Sequence, residues 1–537
     1  MKTNRPSRGG PIHLDLVNAC LWRGRKRIAL RPKDFAILCY LLERQNRLVT
    51  KAELQVVYQG VPAARRIQLH RRLGEREAAG YGARAGELAG RLAMHFERGG
   101  EPARAVQFHG QAAQNALGRC GYREATEHVT RGLALLTLLP DTPERTAHEL
   151  RLHITLGLSL AGSQGYAAPE TEQAYARARA LCQQVGNTQQ LFPVLLGLWA
   201  FYLVRGALKT SLELAEQLLF QAQQTGDPLH LVWAHAAVGM SLVHRGDLVH
   251  GRIYLDQSMA LYDRQQHPAY LALIQPDPGV ACLSYLSWTL WLLGHPDQAV
   301  QKIHEAIALA RDLEDPFSLA YALIFASHTS ICRREVRAAG DSAQAALALA
   351  TERGVAYWQA VATMQQGWAM ALQGQGLQGI AQMRQGLAAW RTTGAELARS
   401  FWWVLQAEVY ASVGQVAEAL RLLDDALEGI DTSGEHWWEA EVYRLKGELL
   451  LQQGVPDELQ AEACFRRALQ VARRQQARSF ELRTALHLSQ LWRRRGRHKA
   501  ARRLLAEIYG WFTEGFDTAD LEEARALLAL WHPAGGL

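Results

Sequence analysis

The chain has 537 residues, with 59 Lys and Arg against 52 Asp and Glu, and a formal net charge of +7 at pH 7. Apolar residues make up 48% of it and charged residues 21%, which excludes a broadly disordered protein. The length predicts three or four ordinary domains or one long array of repeats.

The N-terminal segment combines strand-like and helical patterns. Residues 12–16 and 20–22 have the pattern of strands, a basic turn covers 23–27, and a third short strand is predicted at 28–30. Residues 33–43 then place apolar side chains on one face, which predicts an amphipathic helix.

Residues 21–54, LWRGRKRIALRPKDFAILCYLLERQNRLVTKAEL, resemble the start of the winged-helix DNA-binding domain of bacterial response-regulator-type transcription factors. We therefore expect a partial winged-helix α/β segment at 1–58, although no recognition helix and wing can be identified after Leu54. Residues 1–72 hold 16 Lys and Arg against 4 Asp and Glu. The resemblance implies DNA contacts from the basic side chains Arg23, Arg25, Lys26, Arg27, Lys33 and Lys51.

From about residue 85 the chain is almost continuously helix-forming, and glycines recur in it about every 40 residues. One series is Gly206, Gly246, Gly294, Gly374, Gly414, Gly454 and Gly496, with Arg334 where a glycine is missing. A second series is Gly186, Gly226, Gly354, Gly394 and Gly434. Two such marks in each period predict two helices per repeat, joined by tight turns.

Small residues follow the same period. Seven positions before each mark of the first series lie Gly239, Ser287, Ser327, Gly367, Ala407, Gly447 and Ser489. Two helices approach closely only where bulky side chains are absent, so we expect these seven residues at the helix crossings.

Residues 405–427, LQAEVYASVGQVAEALRLLDDAL, resemble a tetratricopeptide repeat (TPR). They carry the small residue Ala407, the aromatic Tyr410, the turn glycine Gly414 and the alanines Ala419 and Ala426. The resemblance implies an all-α, TPR-like α-solenoid of antiparallel helix pairs over 85–537. The preceding junction, 59–84, resembles the region before the repeats of bacterial STAND-type signalling ATPases and adenylate cyclase-like regulators.

Catalytic motifs are not found. None of the eight lysines follows a glycine, so there is no P-loop. Gly374 to Gly379 fits GxGxxG, but it follows a helix and occupies repeat positions, which favours a turn between helices. His148 and His153 are five residues apart on a predicted helix and therefore face different directions. We expect no catalytic residue, cofactor or metal, and hence a protein that is not an enzyme.

Tryptophans on the predicted first helices allow two interpretations. They form the core between repeats, or some of them project into the concave groove as anchors for a protein or peptide. The candidate groove residues are Trp199, Trp233, Trp288, Trp291, Trp358, Trp402 and Trp437.

The leading hypothesis is a TPR-repeat protein that mediates protein–protein interaction in bacterial signalling or transcriptional regulation. One alternative is a DNA-binding regulator that uses 1–58, with the repeats as its sensor. Another is a truncated remnant of a signalling ATPase or cyclase. A second basic run, 466–503, is either a solvated face or a phosphate-binding surface. Thinly spread cysteines, no signal-peptide pattern and no apolar run of membrane-spanning length predict a cytoplasmic protein without membrane contact.

Overall fold

The computed structural model describes residues 12–15, 20–23, 26–28, 62–185 and 190–531. The chain divides into two compact units, Met1–Phe108 and His109–Leu537, which we call unit 1 and unit 2. The start of the array predicted from the sequence, residue 85, lies within unit 1.

Unit 1 begins with a three-stranded antiparallel sheet in the order β1 (Ile12–Asp15), β2 (Cys20–Arg23), β3 (Lys26–Ile28). Arg23 pairs with Lys26, so the third strand begins two residues before the predicted position and the basic turn is shorter. The predicted helices at 33–43 and after residue 50 lie outside the described residues. So do Arg25, Lys33 and Lys51, and the winged-helix interpretation therefore stays a prediction.

The described residues of unit 1 from 62 onward are mainly helical. Helix α1 (Ala63–Tyr81) covers most of the predicted junction, and a 3-10 helix (Gly82–Leu88) leads into α2 (Ala89–Arg98). The imidazoles of His70 and His95 are 2.9 Å apart between their Nδ1 atoms, and burial lowers the pKa of both.

Helices of similar length follow one another along the rest of the chain. In chain order they are α3 (Pro102–Leu117), α4 (Tyr122–Leu136), α5 (Pro143–Ser163), α6 (Pro169–Val185), α7 (Leu191–Val204), α8 (Leu208–Thr225), α9 (Pro228–His244), α10 (Leu248–Leu261), α11 (His267–Leu273), α12 (Pro278–Leu292), α13 (Pro296–Asp312), α14 (Pro316–Cys332), α15 (Val336–Arg353), α16 (Ala356–Leu372), α17 (Gly376–Thr392), α18 (Arg399–Ser412), α19 (Val416–Ser433), α20 (Glu439–Leu451), α21 (Glu458–Gln475), α22 (Arg478–Arg494), α23 (His498–Tyr509) and α24 (Ala519–Leu530).

Most of these helices form antiparallel pairs, such as α9 with α10 and α18 with α19. In each pair we call the earlier helix the first helix and the later one the second helix. Three first helices begin with Asp-Pro, and the Asp side chain accepts a hydrogen bond from the backbone N–H two residues later. The described residues contain no helix that is both long and apolar enough to cross a membrane.

The seven predicted packing residues lie in buried helix–helix contacts. A Cβ atom added at Gly239, Gly367 or Gly447 would stand 2.7–2.8 Å from atoms of the paired second helix. The corresponding Ser287, Ser327, Ala407 and Ser489 are fully buried.

Among the described residues the glycine marks fall one to three positions after helix ends, as predicted. The missing mark is Arg334, which has φ 64° and so adopts the left-handed backbone conformation found at most of the glycine marks, although not at Gly454. The longer step of 48 residues between Gly246 and Gly294 contains the short helix α11, an insertion that does not add a repeat.

Successive superhelical turns of unit 2 are joined by hydrogen bonds at the C-terminal ends of first helices. The last four carbonyl groups of a helix have no partner within it, and here residues 151–193 positions later supply donors. The pairs are Glu396 N to Val204 O at 2.9 Å, Trp437 N to His244 O at 3.3 Å, Ser479 Oγ to Trp291 O at 2.5 Å, and Arg483 Nη2 to Cys332 O at 2.7 Å. We call this line of contacts the seam.

The seam explains why turn glycines of similar conformation have different surroundings. A Cβ atom added at Gly294, φ 91°, would lie 2.7 Å from the Cβ atom of Arg478 and 2.5 Å from the ring of Trp511. The same addition at Gly374, φ 95°, would meet nothing within 4 Å. Both positions need glycine for their backbone conformation, but only Gly294 also needs it for contact between turns.

Replacing these two glycines by alanine measures the contribution of the seam. We expect Gly374→Ala to cost about 1 kcal/mol, from left-handed backbone strain alone. Gly294→Ala should cost roughly 2–4 kcal/mol, because the methyl group also separates the two turns. Thermal unfolding followed by circular dichroism measures both effects. Equal losses of stability in the two variants would contradict a contribution of the seam to stability.

Arg483 carries the most buried ion pairs of the seam. Its guanidinium lies 2.6 Å from Asp520 Oδ2 and 3.1 Å from Glu441 Oε1, in addition to its bond with the Cys332 carbonyl. Proximity to Arg444 and Arg483 holds the pKa of Glu441 low despite burial. Proximity to Arg483 and Arg334 does the same for the pKa of Asp520. The basic run 466–503 is therefore partly an internal ion-pair network, with acids supplied by α20, α21 and α24.

We expect Arg483→Ala to destabilise the protein by roughly 3 kcal/mol, because it leaves two buried carboxylates without their shared cation. Arg493→Ala, at an exposed position on the same helix, should change stability by no more than about 0.5 kcal/mol. Denaturant unfolding of both variants tests the difference, and an Arg483→Ala midpoint equal to that of the control would exclude a structural role for the pairs.

Candidate functional site

A large cavity lies inside unit 2, and we call it the outer cavity. It has a volume of about 1080 Å³ and is bounded by α5, by the N-terminal ends of α7, α9 and α14, and by α11. Where other first helices carry large aromatic residues, α5 presents Thr155, Leu158, Ala161 and Gly162 to this space. Because none of these side chains is aromatic, the array leaves a cavity here instead of a packed core.

Elements from two superhelical turns form the walls of the outer cavity. Tyr122 at the start of α4 contacts Phe317 at the start of α14, with ring centroids 6.5 Å apart. Both residues line the cavity, as does Arg353 at the end of α15. A ligand in the outer cavity would therefore touch both turns.

Exposed charge in the outer cavity is mainly positive. Arg119 and Arg151 are exposed and Arg353 is half-buried, against the single exposed acid Glu314. The other acid, Asp315, is buried and caps α14 by accepting hydrogen bonds from backbone N–H groups. The balance favours a ligand that carries a carboxylate.

His267 and Asp277 form a buried pair at the cavity wall. Nδ1 of His267 lies 2.8 Å from Oδ2 of Asp277, and this hydrogen bond raises the pKa of the imidazole. Asp277 also caps α12 through the N–H of Gly279. Within the described part of the chain no hydroxyl or thiol is hydrogen-bonded to the second ring nitrogen, so these residues do not form a nucleophile–histidine–carboxylate triad. No group of His, Cys, Asp and Glu among the described residues could hold a metal ion.

A smaller space, the inner cavity, adjoins the outer cavity. Its volume is about 90 Å³, and the two cavities share Tyr166, Ile274 and Gln275 as wall residues. The hydroxyl of Tyr122 donates to Oε1 of Gln275 at 2.6 Å, and that of Tyr166 donates to the Gln275 carbonyl at 2.9 Å. These bonds hold the segment between the two cavities.

Six first helices contribute aromatic or histidine side chains to the inner cavity, so it lies along the concave side of the array. Its wall has no charged side chain. Burial lowers the pKa of both His244 and His328 to about 3, so both imidazoles are neutral at physiological pH. Nε2 of His244 lies 3.0 Å from the hydroxyl of Tyr285. The inner cavity is therefore uncharged and largely apolar.

All seven tryptophans predicted for the groove are buried, with at most 6% of the side chain exposed. None of them is an exposed anchor, because the seam brings the inner faces of successive turns together. Five of them instead line the inner cavity: Trp199, Trp233, Trp288, Trp358 and Trp402. The other two, Trp291 and Trp437, pack beside it, with Trp437 stacked on Trp288 at 5.1 Å between ring centroids.

Several wall residues were not predicted from the sequence, although the 40-residue period marks them. Tyr321 and Phe325 follow Ala281 and Tyr285 by 40 residues, and all four line the inner cavity. His328 follows Trp288 by the same interval and also lines it. The repeat period, applied to aromatic positions as it was to small ones, would have found them.

Glu435 is a buried carboxyl group beside the seam. It accepts hydrogen bonds from Nε1 of Trp437 at 2.8 Å and from Oγ of Ser400 at 3.0 Å. Burial raises its pKa to about 7, although these hydrogen bonds oppose the shift. Between the ordinary Glu pKa and pH 7 the folded state therefore holds a proton that the unfolded state has released. Stability should fall as the pH rises through that window.

Glu435→Gln removes this titration while keeping an acceptor for Trp437 and Ser400. Between pH 4.5 and pH 8 we expect the free energy of unfolding of the wild-type protein to fall by up to roughly 3 kcal/mol relative to that of the variant. Melting temperatures measured across that range test the effect. The exposed Glu428→Gln serves as the control and should follow the wild type. Parallel curves for Glu435→Gln and wild type would rule out the raised pKa.

Comparison with known proteins begins with sequence. No family model matches the chain. An uncharacterised protein of Rhizobium meliloti (strain 1021) is 22% identical over 432 residues, which cover 79% of this chain and 41% of that protein. The chain thus spans less than half the length of this curated relative.

Several solved structures also match the chain. The Rap protein complexed with competence and sporulation factor has a TM-score of 0.51 and 11% identity, over 69% of this chain and 98% of Rap. NprR in complex with its cognate peptide NprX has a TM-score of 0.46 and 13% identity, over 68% of this chain and 98% of NprR. A STAND protein with a tetratricopeptide repeat sensor from Pyrococcus horikoshii gives 0.38 and 13%, over 93% of this chain and 72% of that protein.

These neighbours are helical repeat proteins of the tetratricopeptide type. The likeness to Rap confirms the predicted fold, an all-helical array of TPR-like pairs.

Proposed function

We propose that this chain is a non-enzymatic regulatory protein of bacterial signalling whose helical array binds a peptide in the outer cavity. The observation that carries the proposal is the cavity itself, whose volume of about 1080 Å³ exceeds that of most ligand pockets. Its arginines provide partners for a carboxylate, either an acidic side chain or the C-terminus of the peptide.

The position of the cavity supports a regulatory role. A peptide bound there contacts α5 in one superhelical turn and the start of α14 in the next. The bound peptide would therefore stabilise the contacts of the seam. Its binding would raise the free energy of unfolding of the array. Rap shares the fold and was crystallised with competence and sporulation factor, which agrees with an array that responds to a bound effector.

A random peptide library screened against the full chain tests the proposal. We expect enriched peptides to carry a carboxylate and to raise the melting temperature of the protein. The double variant Arg151→Glu/Arg353→Glu should weaken binding of these peptides at least tenfold, because it reverses charge in the cavity wall.

The matched control is Arg493→Glu/Arg494→Glu, the same charge change at exposed positions outside both cavities. This control should leave affinity within about twofold of wild type. Failure to enrich any peptide, or equal loss in both double variants, would count against the outer cavity as a peptide site.

A further inference from the structure

The inner cavity has the properties of a specificity pocket. All but one of its 24 wall residues are buried, and the half-buried exception, Gln275, stands where the cavity meets the outer one. A group in the outer cavity can thus extend into the inner cavity past Gln275. The inner cavity lies among side chains of six first helices and is not a gap between loops.

The wall chemistry excludes charged groups. No cation or anion lines the space, and both histidines are neutral there. A charged side chain placed in it would lose its hydration without gaining an ion-pair partner. An apolar group would instead gain contacts with the aromatic rings of the wall.

Three wall tryptophans have indole N–H groups that find no acceptor among the described residues. They are Trp233, Trp288 and Trp358. In contrast, the indole of Trp199 donates to Oγ of Ser241 at 3.0 Å. The indoles of Trp390, Trp438 and Trp531, which line neither cavity, also find no acceptor among the described residues, so unpaired indoles do not by themselves indicate a ligand.

The volume narrows the choice of apolar group. At about 90 Å³, the inner cavity is smaller than the cavity of about 150 Å³ that accommodates benzene in an engineered protein core. A branched aliphatic group such as that of Leu, Ile or Val fits this space better than an aromatic ring.

We propose that the inner cavity is the specificity pocket of the peptide site and takes an uncharged, branched aliphatic side chain of the bound peptide. This inference rests on the proposed function, since the peptide enters through the outer cavity. Tyr166 and Gln275 stand at the point where the side chain leaves the peptide backbone.

Single amino-acid derivatives test the pocket without a known peptide. The full chain is titrated with N-acetyl-leucinamide, N-acetyl-phenylalaninamide and N-acetyl-aspartamide, and binding is followed by tryptophan fluorescence. The leucine derivative should give a saturable change, with an affinity at least tenfold higher than either of the others.

Two variants change the volume of the pocket in opposite directions. Ala200→Leu places a larger side chain in the wall and should abolish the response to the leucine derivative. Ile324→Ala enlarges the pocket and should shift the preference toward phenylalanine. Ile331→Ala makes the same change on the same helix outside the cavity, and it should keep the leucine preference.

Equal binding of the leucine and aspartate derivatives would overturn the proposal, as would an unchanged leucine response in Ala200→Leu together with unchanged preference in Ile324→Ala. If library peptides bind but show no aliphatic preference at any position, the pocket is wrong while the proposed function stands. If the leucine derivative binds and no peptide does, the peptide is excluded as the occupant and the proposed function falls with it.

Discussion

Helix ends leave carbonyl groups without partners, and in unit 2 the next superhelical turn supplies the donors. Backbone N–H groups of Glu396 and Trp437 reach Val204 and His244 in this way. Because each contact joins residues about 190 positions apart, the array completes one turn over that length and the turns touch. The aromatic core, the burial of Arg483 and the position of both cavities follow from this contact.

Contact between turns removes most of the open groove that a looser array would have. First helices meet along the axis, and large rings fill the space between them, with Trp288 stacked on Phe325 at 4.2 Å and on Trp437 at 5.1 Å. Among the described residues the filling is incomplete at the outer cavity, beside α5, and at the smaller inner cavity. The outer cavity thus lies where aromatic residues stop, and five of the tryptophans line the inner cavity instead of an exposed surface.

Local features of unit 2 were predictable because they repeat. The 40-residue period located helix ends and crossings, and Arg334 was found in the conformation that its place in the glycine series required. The superhelical pitch was not predictable, since it depends on small angles between pairs that no single repeat encodes. The sequence therefore left both interpretations of the tryptophans open, core between repeats or anchors in a groove. Most of the acids that pair with the C-terminal basic run were missed, because they lie outside it on α20, α21 and α24. Glu481, which pairs with Arg473 and Arg478, lies within the run.

The seam also constrains how such an array can change in length. Three of the four seam contacts join residues 188–193 positions apart, so inserting or deleting one whole repeat within that turn would match these carbonyl groups with the wrong partners. Residues can be added at lower cost between the helices of the array, as at α11, where an extra short helix leaves the pairing of Gly294 with Arg478 in place. Diversification by duplication, the ordinary route for repeat proteins, is thereby restricted to segments outside the closed turn.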